Sequence, residues 1–326
     1  MKILLIGDYK DNGGPTNVNR MLIEHSNHVI KCIKSNGKIL KNLEIFWKII
    51  TCDFVLISGY NSRGIIYTDF AHFFKKKVLY LMHGCVKYEN QVNHLLLSDD
   101  YVNKELIFLK KVDLVLGVSE KYSQWVVNYY PELVEKISFL NNGIDKDEIV
   151  RRKKTKHDKY IITLTGGNRI QKNNLIICDA VEALQAEGYN IQLNLFGRTY
   201  NDNEIISSKN IQNHGMVPRN QLLEFMRNSD LYICNSYVES FGLSVIDAIF
   251  SGCDIIINDN IGASSIFKIN KKYVISDIHS IDEIKEKILY VMKHPNNEDI
   301  LNSIPNDTDY QSCVKKLINI CKKMKD

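Results

Sequence analysis

The sequence predicts an α/β protein made of two doubly wound, parallel-sheet domains that face a cleft. Two observations carry this prediction: the length of the chain, and the alternation of short apolar runs with helical patterns in both halves. A chain of 326 residues exceeds the size at which a single hydrophobic core usually stops growing. Two domains of about 150 residues each are therefore expected.

The composition is that of an ordinary folded protein and excludes several other classes. Hydrophobic residues make up 44% and charged residues 25% of the chain, which also has 5 prolines and 17 glycines. Disorder is therefore not expected. The net charge of +4 is too small for a typical nucleic-acid-binding protein. No apolar run approaches the roughly 18 residues of a spanning helix, and we expect no signal peptide.

The cysteines predict a reducing compartment. The chain has eight, with no Cys-x-x-Cys pair and no zinc-like spacing with histidine. Most lie within apolar runs, as buried free thiols do, so the predicted localisation is cytoplasmic. Basic runs such as residues 75–77 leave two interpretations open, a solvated face or weak attraction to an anionic membrane. Peripheral contact with the inner face of the membrane is therefore one predicted partnership.

Short apolar runs in both halves are typical of parallel strands buried on both faces. Ser119 is a favourable N-cap for a helix that begins near Glu120. The predicted strands are residues 3–6, 54–58, 78–82, 114–118, 137–140, 160–164, 191–196, 231–234 and 255–257. The main predicted helices of the second half are residues 175–185, 222–226 and 243–250.

The domain boundary is predicted from a polar segment, residues 146–159. We interpret it as the interdomain linker, with an exposed loop inside one domain as the alternative. The predicted domains are residues 1–150 and 151–307. A C-terminal helix is predicted at residues 308–326, and one option is that it packs back toward the N-terminal domain. The apolar face of that helix consists of Val314, Leu317, Ile318, Cys321 and Met324.

The segment 239–247 is the main candidate site. Ligands of doubly wound sheets bind beyond the carboxyl ends of the strands, and this segment follows strand 231–234 and leads into a helix near Leu243. Free backbone N–H groups and the positive end of the helix dipole suit a diphosphate there. On spacing alone, an acid that only stabilises the helix N-terminus is an equally good interpretation.

Residues 235–252 resemble the signature of family 4 retaining glycosyltransferases, which have the GT-B fold of two Rossmann-like domains. Their sequence is Asn-Ser-Tyr-Val-Glu-Ser-Phe-Gly-Leu-Ser-Val-Ile-Asp-Ala-Ile-Phe-Ser-Gly. As in that signature, Ser236 precedes the first acid, Glu239, by three positions, and a second acid follows eight positions later. The family usually has Glu at this second position, and the chain has Asp247.

Motifs of the first half resemble the family in their order along the chain. Gly13-Gly14 resembles the glycine loop near the donor phosphates and the acceptor, with a plain turn as the alternative. His83 resembles the histidine that approaches the donor sugar, with an ordinary hydrogen-bonded polar residue as the alternative. The run 142–145, Asn-Gly-Ile-Asp, resembles the motif that closes the first domain and has a structural role.

The second half opens with Gly166-Gly167, followed by Arg169 and Lys172. The family usually has Gly-Arg here, with Lys five residues after that Arg. Lys172 is at the expected distance, but Gly167 replaces the arginine. We predict that Arg169 takes over the phosphate role, with a solvated side chain as the alternative. The run 213–219 resembles the loop that holds the nucleobase.

The resemblance implies a metal-independent, retaining glycosyltransferase that moves a hexose-type sugar from a UDP- or GDP-sugar to a glycan or lipid-linked acceptor. The acceptor would bind mainly to the first domain, residues 1–150, and the nucleotide sugar mainly to the second, residues 151–307. Surface polysaccharide synthesis is the expected process, and no cofactor or nucleic-acid partner is expected. Arg169 and Lys172 would stabilise the departing diphosphate, because no Asp-x-Asp pair suited to a metal–diphosphate clamp is present. Glu239 and His83 would hold the sugar. The predicted nucleotide-sugar contacts are Gly13, Gly14, Gly166, Gly167, His214, Gly215, Ser236, Ser240, Phe241, Gly242, Leu243 and Asp247, the last on the ribose.

Two other functions stay open on the sequence alone. A non-catalytic GT-B subunit of a glycosylation complex would explain Asp247 and the displaced Arg169. A nucleotide-sugar epimerase would keep the fold and change the reaction, although the combined glycine, Arg/Lys and Glu239 motifs fit transfer better.

Overall fold

The computed structural model describes residues 1–11, 13–145, 158–198 and 211–325. The chain divides into two compact units: unit 1 contains Met1–Ile144 and Asp307–Asp326, and unit 2 contains Asp145–Asn306. Most of the predicted linker, residues 146–157, lies outside the described residues, as does the predicted boundary at residue 150.

Unit 1 is built on a parallel sheet of six strands. The strands are β1 (Ile3–Ile6), β2 (Ile30–Lys31), β3 (Phe54–Ser58), β4 (Lys77–Met82), β5 (Leu114–Gly117) and β6 (Ile137–Phe139). Their order is β2-β1-β3-β4-β5-β6, and all pairings are parallel. The central strands β1 and β3 are buried along their whole length, because helices cover both faces of the sheet.

The helices of unit 1 begin just beyond the carboxyl ends of the strands. They are α1 (Gly14–Glu24), α2 (Lys38–Thr51), α3 (Gly64–Phe73), α4 (Val86–Asn93), α5 (Asp99–Lys111) and α6 (Glu120–Tyr129). The predicted cap of α6 is confirmed, since the backbone N–H of Tyr122 donates to Ser119 Oγ at 3.1 Å.

Unit 2 repeats this architecture. Its strands are β7 (Tyr160–Thr165), β8 (Ile191–Phe196), β9 (Ile211–Gly215), β10 (Leu231–Cys234), β11 (Asp254–Asn258) and β12 (Val274–Ile275). Their order is β12-β11-β10-β7-β8-β9, again parallel throughout. Its helices are α7 (Asn174–Ala186), α8 (Arg219–Arg227), α9 (Leu243–Ser251), α10 (Ile281–Lys293) and α11 (Asn297–Ser303). The predicted α/β fold of two doubly wound parallel sheets is confirmed.

One local prediction needs correction. Residues 213–219 are not a single loop, because Asn213, His214 and Gly215 complete the edge strand β9. The apolar pattern of a strand is missing there, since Gln212 and Asn213 are exposed on the edge of the sheet.

The last helix, α12 (Tyr310–Lys323), belongs to unit 1 and packs against α1. It buries Val314, Leu317 and Cys321 from the predicted face, whereas Ile318 and Met324 are only partly buried. All eight cysteines are free thiols, and all except Cys32 are buried. In the part of the chain that the structure describes, no helix is long and apolar enough to cross a bilayer.

Candidate functional site

A cavity of about 370 Å³ lies at the carboxyl edge of the unit 2 sheet. Thr165 and Gly166 reach it from β7, Phe196 and Arg198 from β8, and Met216 follows β9. This is where doubly wound sheets bind ligands, because the ends of parallel strands meet at one edge and leave a crevice.

Two glycines, Gly166 and Gly197, line one wall of this cavity, and Gly167 follows Gly166 in the same loop. Gly166, Gly167 and Gly197 have φ angles of +99°, +61° and +126°, in the region that side chains rarely adopt. A Cβ at Gly167 would lie 1.9 Å from the carbonyl oxygen of Arg198. The backbone N–H of Gly167 also donates to the carbonyl of Phe196 at 2.8 Å. The close approach of two loops explains why an arginine cannot stand at position 167.

Two arginines line the cavity. Arg169 was predicted from the sequence, and its side chain is half-buried at the cavity wall. Arg198 was missed, although it directly follows Gly197, the glycine that ends strand β8. The pair places two guanidinium groups where the leaving diphosphate of a donor would need cations.

Lys172 and Glu239 form an ion pair through Nζ and Oε2. The hydroxyl of Ser236 donates to the same carboxylate oxygen at 3.5 Å. Burial alone would lower the pKa of Lys172, but the Glu239 carboxylate outweighs that effect and raises it. Gln171 joins the loop after β7 to the loop after β10, since its Nε2 donates to the carbonyl of Val238 at 2.8 Å. The predicted phosphate cation and the predicted sugar-binding acid are thus in direct contact.

Helix α9 begins at Leu243, as predicted. Gly242 precedes it with φ +92°, and no acid lies in the first turn. The neighbouring Phe241 has its side chain in the core, with 2% exposed, and its carbonyl accepts a hydrogen bond from the backbone N–H of Ala263. The Phe241 ring is therefore part of the core of unit 2.

Asp247 makes an ion pair that the sequence did not reveal. Arg219, the first residue of α8, donates to its carboxylate through Nη2 at 2.8 Å and Nε at 3.2 Å. Asp247 is the fifth residue of α9 and is 7% exposed. Asp247 lies beyond the first turn of α9, where the helix dipole has little effect on a carboxylate.

His214 and Gly215 support the glycine wall. The His214 ring stacks on Phe196 with centroids 4.6 Å apart, and its Nε2 is 3.0 Å from Asn194 Oδ1. Burial lowers the pKa of His214. The carbonyl of Gly215 accepts a hydrogen bond from the N–H of Gly197 at 2.8 Å. Both residues thereby hold β9 against the loop that carries Arg198.

The predicted residues of the first half lie in unit 1. Gly13 and Gly14 stand at the start of α1, with Gly13 in an extended conformation. His83 follows β4, and its Nε2 is 2.9 Å from the hydroxyl of Ser58, the last residue of β3. Burial lowers the pKa of His83 to about 4, so its imidazole is neutral near pH 7.

Unit 2 resembles a known family of proteins. Residues 145–304, nearly all of unit 2, match the family described as Glycosyl transferases group 1. No curated protein matches the chain in sequence.

Solved structures resemble most or nearly all of the chain. HepE of Anabaena, crystallised with UDP and glucose, has a TM-score of 0.71 at 13% identity and covers 99% of this chain and 100% of its own. Sucrose-phosphate synthase of Thermosynechococcus elongatus has a TM-score of 0.77 at 13% identity, covering 99% and 98%. TarM has a TM-score of 0.65 at 16% identity, covering 86% and 58%. The fold is that of GT-B glycosyltransferases.

Proposed function

We propose that the chain is a glycosyltransferase whose unit 2 binds a nucleoside-diphosphate sugar. The observation that carries this proposal is the cavity at the carboxyl edge of the unit 2 sheet, with Arg169 and Arg198 in its lining. The Lys172–Glu239 pair lies beyond the carboxyl ends of β7 and β10, in loops joined by Gln171. It adds a cation and a carboxylate that can accept hydrogen bonds from hydroxyl groups. The match of residues 145–304 to a glycosyltransferase family supports this assignment.

The cations would act on the leaving group. Negative charge develops on the nucleoside diphosphate as the glycosidic bond breaks, and preorganised guanidinium and ammonium groups stabilise that charge. We propose that Arg169, Arg198 and Lys172 provide this stabilisation without a metal ion. Full activity in excess chelator is the expected result, and activity restored only by a divalent cation would contradict metal independence.

The nucleotide and the stereochemistry follow as finer proposals. HepE was crystallised with UDP and with UDP-glucose, which makes a UDP-sugar the first donor to test, with a GDP-sugar next. We propose a hexose-type sugar transferred with retention, in which a donor phosphate oxygen helps to deprotonate the acceptor. Glu239 and His83 would hold the sugar and Asp247 the ribose. Anomeric configuration of the product, measured by NMR, tests retention.

The setting is also a proposal. We propose a glycan or lipid-linked acceptor in surface polysaccharide synthesis, with the enzyme in the cytoplasm and in peripheral contact with the membrane. The eight free cysteines, seven of them buried, support a reducing compartment.

The deciding experiment is a donor screen. Purified protein is incubated with a panel of UDP- and GDP-sugars, and release of the nucleoside diphosphate is measured with and without mixed acceptor glycans. Release from one donor, lost in Arg169→Gln and Arg198→Gln, is the expected result. No release and no nucleotide binding across the panel would overturn the proposal.

One observation favours a second candidate, a non-catalytic GT-B subunit. Both acids of the motif are engaged internally, Glu239 with Lys172 and Asp247 with Arg219. A subunit of this kind would bind no nucleotide, or would bind it without turnover. Calorimetric titration with UDP and GDP beside the donor screen separates the two functions.

A further inference from the structure

Unit 1 contains a second cavity, also about 370 Å³, beside the ends of β1 and β3. Helices α1, α2 and α3 begin around it, with Thr16, Lys38 and Gly64 among the lining residues. None of these three helices has an acid in its first turn, whereas α5, α6 and α10 do. Three positive helix ends are therefore directed at one cavity without an internal counter-charge of their own.

The side chains of the lining increase this positive potential. Lys38, Lys41 and Arg63 stand against a single carboxylate, Asp8. Both lysines lie in the first four residues of α2, where the helix dipole disfavours cations. None of the three cations has a carboxylate within 4.0 Å among residues 1–11, 13–145, 158–198 and 211–325. An anion from outside the unit would relieve the repulsion.

Asn19 adds an unsatisfied acceptor to the same cavity. Its side chain is 2% exposed, and its Nδ2 donates to the carbonyl of Asp8 at 2.7 Å, which fixes the orientation of the amide. The Oδ1 atom then has no donor within the described residues. Buried acceptors without a partner are rare, because they cost about 1–3 kcal/mol. A ligand hydroxyl would satisfy this one.

Asp8 offers a further hydroxyl acceptor. Burial opposes its ionisation, but hydrogen bonds from the backbone of Lys10 and Asp11 and from the Thr16 hydroxyl lower the pKa of the carboxyl. The carboxylate is therefore charged near neutral pH. Acceptors for hydroxyl groups and cations for an anion thus line one cavity.

We propose that this cavity binds a phosphate group carried by a hydroxyl-bearing molecule. Lys38, Lys41 and Arg63 would hold the phosphate, while Asn19 and Asp8 would accept hydrogen bonds from hydroxyls. The identification of this molecule as the acceptor of the reaction rests on the proposed function, but binding itself does not.

The test is a calorimetric titration with glucose 1-phosphate, with glucose as the uncharged probe and UDP present in excess to fill the unit 2 cavity. We expect at least tenfold tighter binding of the phosphate than of glucose, and at least a tenfold loss in Lys38→Gln/Lys41→Gln. The matched control is Lys315→Gln/Lys322→Gln on α12, which removes two exposed lysines from the same unit and should bind like the wild type.

Equal binding by the wild type and the Lys38/Lys41 variant, or an equal loss in the control, would overturn the site. A short-chain prenyl diphosphate in detergent forms a second arm that separates a lipid-linked phosphate from a soluble sugar phosphate. Failure of the proposed function would appear independently, as absent UDP binding in a protein that still binds glucose 1-phosphate.

A separate observation concerns the outer face of α2. The helix buries Ile45 and Ile49, yet its opposite side is also apolar and lies in solvent. We call this side the α2 stripe; it consists of Ile39, Leu40, Leu43 and Trp47, which are 75%, 63%, 61% and 68% exposed. Helix α3 adds Phe73, which is 80% exposed. Contiguous exposed apolar surface of this kind marks an interaction site.

The charges near the α2 stripe favour an anionic partner. Glu44 is the only acid of α2, and it is occupied by Lys48 at 2.5 Å and by the backbone N–H groups of Lys34 and Ser35. Burial opposes the effect, but these hydrogen bonds lower the pKa of Glu44 to about 2. Beyond Phe73, residues 75–77 are three consecutive lysines, of which Lys77 is paired with Asp113 at 3.0 Å. An apolar stripe with cations at its ends suits a bilayer that contains anionic lipids.

We infer that the α2 stripe inserts into the surface of an anionic bilayer. The probe is sedimentation with vesicles of phosphatidylcholine, with and without phosphatidylglycerol. Binding should require the anionic lipid and fall at least tenfold in Leu43→Gln/Trp47→Gln. The control is Val134→Gln/Phe139→Gln, which alters two exposed apolar residues elsewhere in unit 1.

Two outcomes would overturn this inference. One is unchanged vesicle binding in the α2 variant. The other is a dimer in analytical ultracentrifugation that is lost in the same variant while vesicles are not bound, which would make a second copy of the chain the partner of the α2 stripe.

Discussion

The Lys172–Glu239 ion pair joins a cation and an acid beyond the ends of β7 and β10. We expect Lys172→Gln or Glu239→Gln to lower turnover by about 10²-fold, in line with the loss of one preorganised electrostatic contact. Donor turnover at saturating substrate measures the effect.

The chain offers a matched control for this prediction. Lys285 and Glu187 form another ion pair of unit 2, at 2.5 Å on the surface. Lys285→Gln should leave turnover unchanged, because surface ion pairs contribute little and neither residue of this pair lines the cavity. Wild-type turnover in both Lys172→Gln and Glu239→Gln would contradict the assignment.

His83 leads to a prediction about pH and stability. Its pKa is about 4 in the folded chain and 6.5 in the unfolded chain, so the unfolded state binds more protons between these values. The contribution of His83 to the free energy of unfolding is thus present above pH 6.5 and lost as the pH falls toward 4. Urea unfolding at pH 7.5 and 4.5 should show a larger loss for the wild type than for His83→Gln. Equal losses would contradict the lowered pKa.

Candidate site residues could be predicted where a motif is continuous in the sequence, but not where two separate loops come together. Glu239, Arg169 and Lys172 were proposed as site residues because their spacing resembles a known pattern. Arg198 and Arg219 were missed, since their relevance depends on which loops pack together. Arg219 and Asp247 are 28 positions apart in the sequence, yet they form an ion pair at 2.8 Å. The sequence pattern gives no sign of this contact.

At the scale of elements, the loops that carry Gly167 and Gly197 give the cavity its wall. Gly167→Ala should destabilise unit 2 and weaken nucleotide binding, because the new Cβ would collide with the carbonyl oxygen of Arg198. Gly188→Ala is the control: its φ is +97°, but no atom lies within 4 Å of a Cβ there. It should cost only the left-handed strain of roughly 1–2 kcal/mol.

Thermal unfolding of both alanine variants measures this difference. A destabilisation of Gly167→Ala no larger than that of Gly188→Ala would show that the two loops can move apart. It would then remove the steric reason for glycine at position 167.

Long apolar strands could be predicted, whereas very short or polar strands could not. Strands such as β3 and β11, buried at every position, stand out as apolar runs. The edge strand β9 and the two-residue strands β2 and β12 do not, because their pairing depends on the neighbouring strand more than on their own sequence.

At the scale of the whole molecule, two parallel sheets could be predicted, since each half repeats the same alternation. For α12, packing back toward the N-terminal domain was one option that the sequence offered, but the contacts could not be predicted. Its apolar face shows that it packs on some core, whereas only the structure shows Tyr310 stacked on His25, which directly follows α1, with ring centroids 6.0 Å apart. Unit 1 is therefore built from both ends of the chain.

This division into units makes a prediction about nucleotide binding. If the donor occupies the unit 2 cavity, UDP should slow amide hydrogen exchange most strongly in β7, β8 and the start of α9, and much less in the sheet of unit 1. Binding to the folded state alone stabilises by about 2.7 kcal/mol when the ligand is at 100 times its Kd. Hydrogen exchange with mass spectrometry, at 100 times the Kd for UDP, gives the measurement. Arg169→Gln/Arg198→Gln is the control that should lose the protection. Protection confined to unit 1, or equal protection in this variant, would place the nucleotide outside the Arg169–Arg198 cavity.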